Sequence, residues 1–494
     1  LKAPPILGNT FLTAVVWSFL QQDCGVLESL LRGRFGRKGE RVLQMNIDCL
    51  QKACAYVASL EKAPFVTLPA TNVRWSGHML LTGSQAMGFG IIHAGCRVYA
   101  GYPMTPSSPL LSFLADMQNR TRMVIKQAED EITAVQMASG AMHMGARAMT
   151  ATSGGGFDLM TEGLSLAAMF ETPLVILLGQ RPGPATGLPT RSNQPDLNLA
   201  MYAGHGEFTR VIISPHTVQE FYHSAIRAFN LADILQCQVI VMSDQQIASS
   251  LFGIDMDAFQ MQDTLIDRGK LLTAEQVDAM PDYKRYKLTE DGISPRAIAG
   301  SSANAIFLTT SDEHDERGAI TEGAEMAARM ADKRLAKAKV AESLMRPPFC
   351  YGPEEADITF VCWGTTFGPV VESVKQLETQ GTSANVVCFV DIWPFLVQAA
   401  QHALDGAKRL VGVEQNKTAQ FMHLLREGWQ RVEQEYYDID ICLFFMDRLS
   451  RKEVTDYLQG RLSQLEEALG QLSSHETEQM QNPYVPPQAR AIFS

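Results

Sequence analysis

Short apolar runs that alternate with helical stretches constrain the fold of this chain more than any other feature of its sequence. Between residues 96 and 243, runs rich in β-branched residues are separated by segments whose apolar residues have helical spacing. Such alternation is typical of a doubly wound parallel sheet with helices on both faces. We therefore predict a parallel α/β domain over residues 80–270. Its strands are expected at 96–100, 123–127, 147–152, 174–178, 210–214 and 238–243.

The rest of the chain shows different patterns. Residues 1–65 have apolar residues at helical spacing, and we predict a small helical domain there. Residues 271–350 break the alternation and are expected to form a connecting arm, whereas residues 351–450 resume it and predict a second, smaller α/β domain. Leucines at helical spacing in residues 451–494 predict a helical tail that docks on a neighbouring surface. The strands of the second domain are expected at 358–363, 385–390 and 409–414.

Charge and hydropathy narrow the possible partners. The 494 residues include 42 lysines and arginines against 54 aspartates and glutamates, a net charge of −12, and the basic residues are scattered. Nucleic acid and anionic membranes are therefore unsuitable partners. No apolar run approaches the roughly 20 residues of a membrane span. The nine cysteines contain no Cys-x-x-Cys pair and most lie in apolar segments, so we predict buried thiols and a cytoplasmic protein.

A proline-rich turn follows the first predicted strand. Residues 102–109 have the sequence Tyr-Pro-Met-Thr-Pro-Ser-Ser-Pro. The prolines fix the backbone and remove hydrogen-bond donors, so Thr105 is held at the carboxyl end of a strand. By itself the segment is typical of a strand-to-helix turn in which Ser107 or Ser108 caps the helix.

Polar residues also follow the next three predicted strands. Glu131 opens a helix of small residues, Ser153 and Gly154 begin a glycine-rich turn, and Arg181 opens a long loop of prolines and glycines. Each has a plain structural explanation, because a carboxylate suits a helix N-terminus, and glycine turns and solvated arginines are common. Because α/β folds bind ligands at the carboxyl ends of their strands, these residues and Thr105 could also line one crevice.

Five motifs stand out in the sequence. They are Tyr-Pro-Met-Thr-Pro-Ser-Ser at 102–108, Glu-Asp-Glu at 129–131, Thr-Ala-Thr-Ser-Gly-Gly-Gly-Phe at 150–157, Gln-Arg-Pro-Gly-Pro-Ala-Thr-Gly-Leu-Pro-Thr at 180–190 and Asp-Gly-Ile-Ser-Pro-Arg at 291–296. In combination they resemble the alpha subunit of 2-oxoacid:ferredoxin oxidoreductases, most closely the 2-oxoglutarate type. The similarity covers nearly all of residues 1–445. Residues 1–65 resemble the C-terminal part of a gamma domain fused ahead of alpha, which implies that the N-terminal part of that domain is missing. Residues 80–270 resemble the pyrimidine-binding domain of thiamine diphosphate enzymes, and residues 351–450 resemble the transketolase C-terminal-like domain.

The resemblance assigns roles to individual residues. Glu131 would hydrogen-bond the pyrimidine of thiamine diphosphate, and burial among small neighbours should raise its pKa so that it can share a proton with the ring. Thr105 would hydrogen-bond the 2-oxo acid, and Arg181 would bind its carboxylate. Arg191 and Gln194 are candidates for contacting a second carboxylate of the substrate, although a structural ion pair within the loop would explain them equally well. The remaining expected cofactor contacts are Tyr102, Pro103, Ser153 and Gly154.

Two groups that this chemistry needs have no place in the sequence. No Gly-Asp-Gly followed by a distant Asn is present to hold Mg²⁺ and diphosphate, and no cysteines lie close enough together for an iron–sulfur cluster, which needs about four thiolates. The resemblance places Mg²⁺ and a [4Fe-4S] cluster on a beta subunit. No metal is therefore expected on this chain, the active site would lie between subunits, and two alpha–beta pairs would form the complex.

The activity implied by the resemblance is oxidative decarboxylation of a 2-oxo acid, with 2-oxoglutarate as the first choice, or the reverse reaction. Two electrons would pass singly to ferredoxin, and coenzyme A would take the acyl group. Two alternatives stay open. One is half of a non-redox thiamine diphosphate enzyme of the decarboxylase or transketolase type, and the other is a non-catalytic assembly subunit.

Overall fold

The chain divides after Gly77 into two structural units that differ in secondary structure. The computed structural model describes residues 5–60, 66, 68, 77–259, 264–428 and 441–442. In the described residues the first unit, Leu1–Gly77, consists of helices, and the second, His78–Ser494, holds the strands. The predicted helical tail at 451–494 lies outside the described residues.

The first unit is helical, as predicted. Asp23 caps its second helix by accepting a hydrogen bond from the backbone N–H of Gly25 at 2.9 Å. Gly39, at φ 100°, lets the chain turn into the third helix. A small apolar core that includes Leu27 and Leu50 holds the helices together. They are α1 (Gly8–Phe19), α2 (Cys24–Phe35) and α3 (Glu40–Ala58).

The prediction of buried thiols is wrong for part of the cysteine set. Cys24 and Cys54 form a disulfide, because α2 packs against α3 and brings the two side chains together. Cys350 is exposed, and the side chain of Cys442 lies outside the described residues. The prediction is confirmed for Cys49, Cys96, Cys237, Cys362 and Cys388.

The strands of the second unit form sheets of two, five and seven members. Strands predicted from the sequence are all present, with ends that differ by at most two residues. In chain order the strands are β1 (His78–Leu81), β2 (Val98–Gly101), β3 (Val124–Gln127), β4 (Ala148–Thr152), β5 (Leu174–Gln180), β6 (Arg210–Ile213), β7 (Gln238–Asp244), β8 (Phe252–Asp255), β9 (Phe349–Tyr351), β10 (Ile358–Trp363), β11 (Ala384–Phe389), β12 (Asp391–Trp393), β13 (Leu410–Glu414) and β14 (Ile441–Cys442).

The seven-stranded sheet is the centre of the second unit. Its order is β12-β6-β7-β5-β4-β2-β3, and all neighbours from β6 to β3 run parallel. Val239 and Val241 of β7 belong to one apolar core, and Ile240 and Met242 belong to another. Both faces of the sheet are thus covered, as in other doubly wound sheets, which confirms the predicted fold class.

Helices connect the strands and cover the sheets. Thr82, Asp130 and Thr217 each cap a helix by accepting a hydrogen bond from a backbone N–H of its first turn. The helices of the second unit are α4 (Gly83–His93), α5 (Ser108–Thr121), α6 (Glu131–His143), α7 (Gly154–Met169), α8 (Leu197–Tyr202), α9 (Val218–Leu235), α10 (Gln245–Ser249), α11 (Ala274–Asp278), α12 (Ala324–Leu344), α13 (Phe367–Thr379), α14 (Val397–Leu404) and α15 (Gln420–Gly428). None of the described helices is long and apolar enough to cross a membrane.

Buried ion pairs attach the segment between the two α/β regions to the seven-stranded sheet. Glu171, after α7, is fully buried and pairs with Lys333 and with Lys337 of α12, the latter at 2.8 Å. Asp233 of α9 pairs with Arg296 of the connecting segment at 2.7 Å. We call Glu171, Asp233 and their cationic partners the arm interface.

The second α/β region has the predicted parallel strands and, among its described residues, three strands that the sequence pattern did not predict, β9, β12 and β14. β10 pairs in parallel with β11 and β13, whereas β9 pairs antiparallel with β11. The short β12 leaves this region and pairs antiparallel with β6, placing Asp391 opposite Ile213. The second region thereby adds the outermost strand to the first sheet.

Candidate active site

The predicted site residues follow β2, β3, β4 and β5, which are neighbours in the seven-stranded sheet. The chain passes from β2 outward to β3 and then crosses back to β4 on the other side of β2. At such a switch point the helices leave the sheet on opposite sides, and a crevice opens at the carboxyl ends of the strands. The segments that begin at Tyr102 and Ser153 lie at this position.

The proline-rich turn after β2 packs onto β5. Pro106 lies over Gly179, where an added side chain would come within 2.9 Å of the proline Cγ. Ser107 occupies the position before α5, but its hydroxyl donates to Met104 O at 2.6 Å and does not cap the helix. Thr105 is half-buried between these anchors. The turn therefore holds Thr105 by packing and by its own hydrogen bonds.

Glu131 is the first residue of α6 and is 2% exposed. Its Oε1 accepts a hydrogen bond from Thr152 Oγ1 at 3.4 Å. Asp130 caps the helix, accepting from the backbone N–H of Thr133 at 2.7 Å, so Glu131 is left free of that task. Burial raises the pKa of Glu131 above its ordinary value, as the sequence analysis expected. Such a carboxyl can hold a proton and transfer it.

The glycine turn at the start of α7 leaves room for two carboxyl groups. A side chain at Gly156 would overlap Glu131 Oε1 and Thr152 Oγ1, and one at Gly154 would lie 2.7 Å from both carboxylate oxygens of Asp196. At Gly155, by contrast, an added Cβ would meet Ala185 O at an ordinary 3.8 Å. Glycine is therefore required on the two sides that face carboxyl groups.

Arg181 lies in the interior, immediately after β5, and is 8% exposed. Its Nη1 donates to Thr105 O at 2.7 Å, so two residues predicted to share a substrate are in direct contact. Its buried Nε has no hydrogen-bond partner among the described residues. The guanidinium is thus fixed on one side and keeps donors for an anion.

Of the two explanations left open for Gln194, its hydrogen bonds favour a structural role. It is 1% exposed, and both atoms of its amide are engaged, since Oε1 accepts from the backbone N–H of Gln415 at 2.9 Å and Nε2 donates to Trp363 O at 2.9 Å. Its own backbone N–H donates to Gln415 O at 2.7 Å. Gln194 therefore ties the loop after β5 to the second α/β region instead of contacting a substrate.

Asp196 is a candidate functional residue that sequence reasoning missed. Its backbone N–H donates to Gln180 Oε1 at 3.3 Å, and its carboxylate lies against Gly154. Burial raises its pKa to about 7; the nearby Asp158 also raises it, and Arg181 lowers it. No motif marks this residue, and a single aspartate before a short helix is ordinarily a cap.

Several predicted residues lie on the outside. Tyr102, Pro103 and Arg191 are exposed, whereas Glu131 and Arg181 are in the interior. In the part of the chain that the structure describes, no three His, Cys, Asp or Glu side chains come together as a metal site.

The interior residues fit a flat nitrogen heterocycle beside an anion. Three buried polar atoms, Ser153 Oγ, Asp196 Oδ2 and Arg181 Nε, have no hydrogen-bond partner among the described residues. Buried polar groups are normally hydrogen-bonded, so these atoms indicate a place for a ligand. Glu131 offers a proton to a ring nitrogen, and the glycines at 154 and 156 leave the space beside the backbone in which Asp196 and Glu131 lie. We call the group Thr105, Glu131, Thr152, Ser153, Gly154, Gly156, Arg181 and Asp196 the half-site.

Comparison with known proteins agrees with this geometry. The family model described as pyruvate flavodoxin/ferredoxin oxidoreductase, thiamine diphosphate-binding, matches residues 89–333. The second unit thus contains a thiamine diphosphate-binding domain of this type.

Curated relatives match most of the chain. It is 35% identical over 438 residues to 2-oxoacid:ferredoxin oxidoreductase 2, subunit alpha, of Aeropyrum pernix, covering 85% of this chain and 66% of the relative. It is 36% identical to the corresponding alpha subunit of Saccharolobus solfataricus, covering 70% of this chain and 56% of the relative. With the 2-oxoglutarate synthase subunit KorA of Methanothermobacter thermautotrophicus the identity is 33%, over 70% of this chain and 90% of the relative.

A solved structure extends the match. The 2-oxoglutarate:ferredoxin oxidoreductase of Magnetococcus marinus, determined with 2-oxoglutarate, coenzyme A and succinyl-CoA bound, has a TM-score of 0.78 and 30% identity, covering 92% of this chain and 77% of that chain. The chain belongs to the family of 2-oxoacid:ferredoxin oxidoreductase alpha subunits, which confirms the resemblance stated above. It spans 66% and 56% of the length of the Aeropyrum and Saccharolobus relatives.

Proposed function

We propose that this chain is the alpha subunit of a 2-oxoacid:ferredoxin oxidoreductase. With a beta subunit it would convert a 2-oxo acid and coenzyme A to acyl-coenzyme A and carbon dioxide, passing electrons to ferredoxin, or run the reverse reaction. Thiamine diphosphate would bind between the subunits, with Mg²⁺ and a [4Fe-4S] cluster on the beta subunit. Two alpha–beta pairs would form the complex, in the cytoplasm.

One observation carries the proposal. A buried carboxyl with a raised pKa, Glu131, faces a turn in which Gly156 is required to make room for it. At the same edge of the sheet, Arg181 keeps a buried donor without a partner in the described part of the chain. A proton-exchanging group and an anion-binding group thus lie together at the switch point of the sheet.

The residues of this chain would share the work as follows. Glu131 would exchange a proton with the pyrimidine, aided by Thr152, while Ser153 and Gly154 face the ring. When bound, thiamine diphosphate supplies a carbon nucleophile that can add to a 2-oxo group. Arg181 would hold the substrate carboxylate, and the Thr105 hydroxyl would bind the 2-oxo oxygen. Tyr102 and Pro103, which are exposed at the start of the turn, would contact the pyrimidine.

2-Oxoglutarate is the substrate that we propose first. The names of the Methanothermobacter and Magnetococcus proteins support this choice. Arg191 is exposed on the loop that begins with Arg181 and is the candidate for the second carboxylate. A non-catalytic assembly subunit would have no use for a buried carboxyl of raised pKa, so the structure gives that alternative no support.

The test is a coenzyme A-dependent dye-reduction assay of the complex purified with its beta subunit. The substrates are 2-oxoglutarate, pyruvate, 2-oxoisovalerate and an aryl pyruvate, and we expect the highest kcat/KM for 2-oxoglutarate. The variant Arg191→Gln should raise KM for 2-oxoglutarate and leave KM for pyruvate, its matched control, unchanged.

Other outcomes would decide against parts of the proposal. A colourless homo-oligomer that turns over 2-oxo acids without an electron acceptor would show a non-redox enzyme. A preference for pyruvate with full coenzyme A dependence would replace the substrate and keep the reaction. A complex that assembles without any turnover would favour the assembly role.

A further inference from the structure

Asp196 is a half-buried residue whose carboxyl oxygen Oδ2 is buried, and the motifs assign it no role. Its Oδ2 has no hydrogen-bond partner within the described ranges. The residue is nevertheless well fixed, because its backbone N–H donates to Gln180 and the preceding loop is tied down at Gln194. Its carboxylate rests on the backbone of Gly154, at the N-terminus of α7. One oxygen of this side chain is therefore held in the half-site without a hydrogen-bond partner in the described residues.

Two charged groups in the described part of the chain act on Asp196. Arg181 attracts it and Asp158 of α7 repels it. The following helix, α8, has the sequence Leu-Asn-Leu-Ala-Met-Tyr and carries no charge. Arg181 is oriented by Thr105 O, and its Nε remains buried without a partner in the described residues, so Asp196 does not occupy that donor.

We propose that Asp196 is a positioning residue that controls substrate affinity through Arg181. When neutral, it leaves the charge of the guanidinium to the carboxylate of the 2-oxo acid; when ionised, it competes with the substrate for that charge and repels it. The inference rests on the proposed function, because it assumes that Arg181 binds the substrate carboxylate.

The direction of the pH effect follows from the environment of Asp196. Burial raises its pKa to about 7, with Asp158 adding to the increase and Arg181 opposing it. Below pH 7 the carboxyl is neutral and the substrate binds tightly. As the pH rises through 7 the carboxyl ionises, and KM for the 2-oxo acid should increase.

The first experiment measures KM of the alpha–beta complex for 2-oxoglutarate between pH 6 and 8.5. For the unmodified complex we expect KM to rise about tenfold, which corresponds to a one-unit increase in the pKa of Asp196 when the substrate binds. In Asp196→Asn, which keeps the shape and removes the titration, KM should stay near its low-pH value. The same rise in KM in this variant would overturn the inference.

A second variant tests the inference even if Asp196→Asn fails to fold. Asp158 is exposed on α7 and is not part of the half-site. Removing its charge in Asp158→Asn lowers the pKa of Asp196, so the midpoint of the KM profile should move to lower pH. An unchanged midpoint, or a shift to higher pH, would contradict the role of Asp196.

Calorimetry separates this inference from the proposed function. Binding of 2-oxoglutarate to the complex without thiamine diphosphate should be about fivefold weaker at pH 8 than at pH 6, and the difference should disappear in Asp196→Asn. Turnover with an unchanged pH profile defeats the inference alone. Failure to turn over any 2-oxo acid defeats the proposed function, while the calorimetric comparison still decides whether Asp196 controls anion binding.

Discussion

The arm interface and the half-site bury charged groups in opposite ways. In the arm interface the carboxylates meet cations of the same chain, as when Glu171 pairs with Lys333 and Lys337. Asp233 likewise meets three arginines, Arg147 at 2.9 Å, Arg268 at 2.6 Å and Arg296 at 2.7 Å. In the half-site, Ser153, Arg181 and Asp196 keep buried polar atoms without a partner in the described residues. Buried charges that are paired within the chain hold two segments of the chain together. Buried polar atoms that have no such partner are available to a ligand.

Two glutamates show the contrast most clearly. Glu171 and Glu131 are 0% and 2% exposed, so both lose their hydration. For Glu171, burial would raise the pKa, but Lys337 and Lys333 outweigh burial and hold the pKa well below its ordinary value. Among the described residues no such cation offsets burial at Glu131, and its pKa is raised. The neighbours decide whether a buried glutamate is a structural anion or a proton carrier.

The largest effect is expected at Glu131, because a failed prediction there would remove the difference between the half-site and the arm interface. Glu131→Gln removes the exchangeable proton and keeps the size of the side chain. Activity should fall by about a hundredfold to ten-thousandfold, the usual contribution of general acid–base catalysis. The measurement is kcat in the dye-reduction assay, with thermal unfolding as the control for folding. Retained activity would remove the proposed role of Glu131.

Glu171→Gln tests the other side of the comparison. It leaves two buried ammonium groups without their carboxylate, and breaking a buried pair in this way costs about 3–5 kcal/mol. Urea unfolding of the complex should show the loss. Asp357→Asn, in an ion pair between Asp357 and Lys408 that is mostly exposed, is the matched control and should leave the midpoint unchanged. If both variants unfolded at the same urea concentration, the arm interface would not be a stabilising feature.

The glycine turn allows the half-site to be tested with the addition of a single methyl group. In Gly156→Ala the new methyl group overlaps Glu131 Oε1 and Thr152 Oγ1, so Glu131 must move. We expect a loss of stability of about 1–3 kcal/mol, typical of overpacking, together with reduced kcat/KM. Gly155→Ala, which meets Ala185 O at 3.8 Å, should retain both stability and activity. Equal losses in the two variants would show that helix α7, and not Glu131, requires the glycines.

The smallest expected effect is the acid sensitivity of stability that His143 causes, next to the arm interface. His143 hydrogen-bonds Thr172 Oγ1 at 3.1 Å and Thr309 Oγ1 at 3.3 Å, and burial, together with Arg285 and Arg296, lowers its pKa to about 4. An unfolded histidine titrates near pH 6.5. Because the unfolded chain then binds the extra proton, the contribution of His143 to stability is complete above about pH 6.5 and is lost as the pH falls toward 4.

The measurement compares the unfolding free energy of the unmodified protein and of His143→Gln at pH 7.5 and pH 5.5. The unmodified protein should lose about 1 kcal/mol more than the variant on acidification. The other histidines are present in both proteins and cancel in the difference. A difference of the opposite sign would mean that His143 is charged in the folded protein.

Much of the fold could be predicted because its strands are fully buried. β10 occupies 358–363, as predicted, since a run of apolar β-formers leaves little choice. β12 was missed because Asp391–Trp393 is too short to show a period and owes its conformation to pairing with β6. The Cys24–Cys54 disulfide was missed because it depends on how two helices pack.

The site was predictable where residues form contiguous motifs. Glu131 and Arg181 each follow a strand end within a recognisable motif, and both lie in the interior. The sequence could not decide between a substrate contact and a structural role for Gln194, because its contacts are with Trp363 and Gln415, more than 150 residues away along the chain. Asp196 has a local sequence without any signal, and its position against Gly154 comes from the folding of the loop. Long-range packing decides such roles, and a single sequence does not display it.

The strand β12 determines which truncated fragments of this chain should stay soluble. β6 is Arg-Val-Ile-Ile, buried at every position, and β12 is its outer neighbour. A fragment that ended before residue 391 would present this apolar strand as an open sheet edge, and such edges recruit other chains into aggregates. The second α/β region therefore acts as a cover for the first, and a functional pyrimidine-binding domain should be obtainable in monodisperse form with that region attached and not without it.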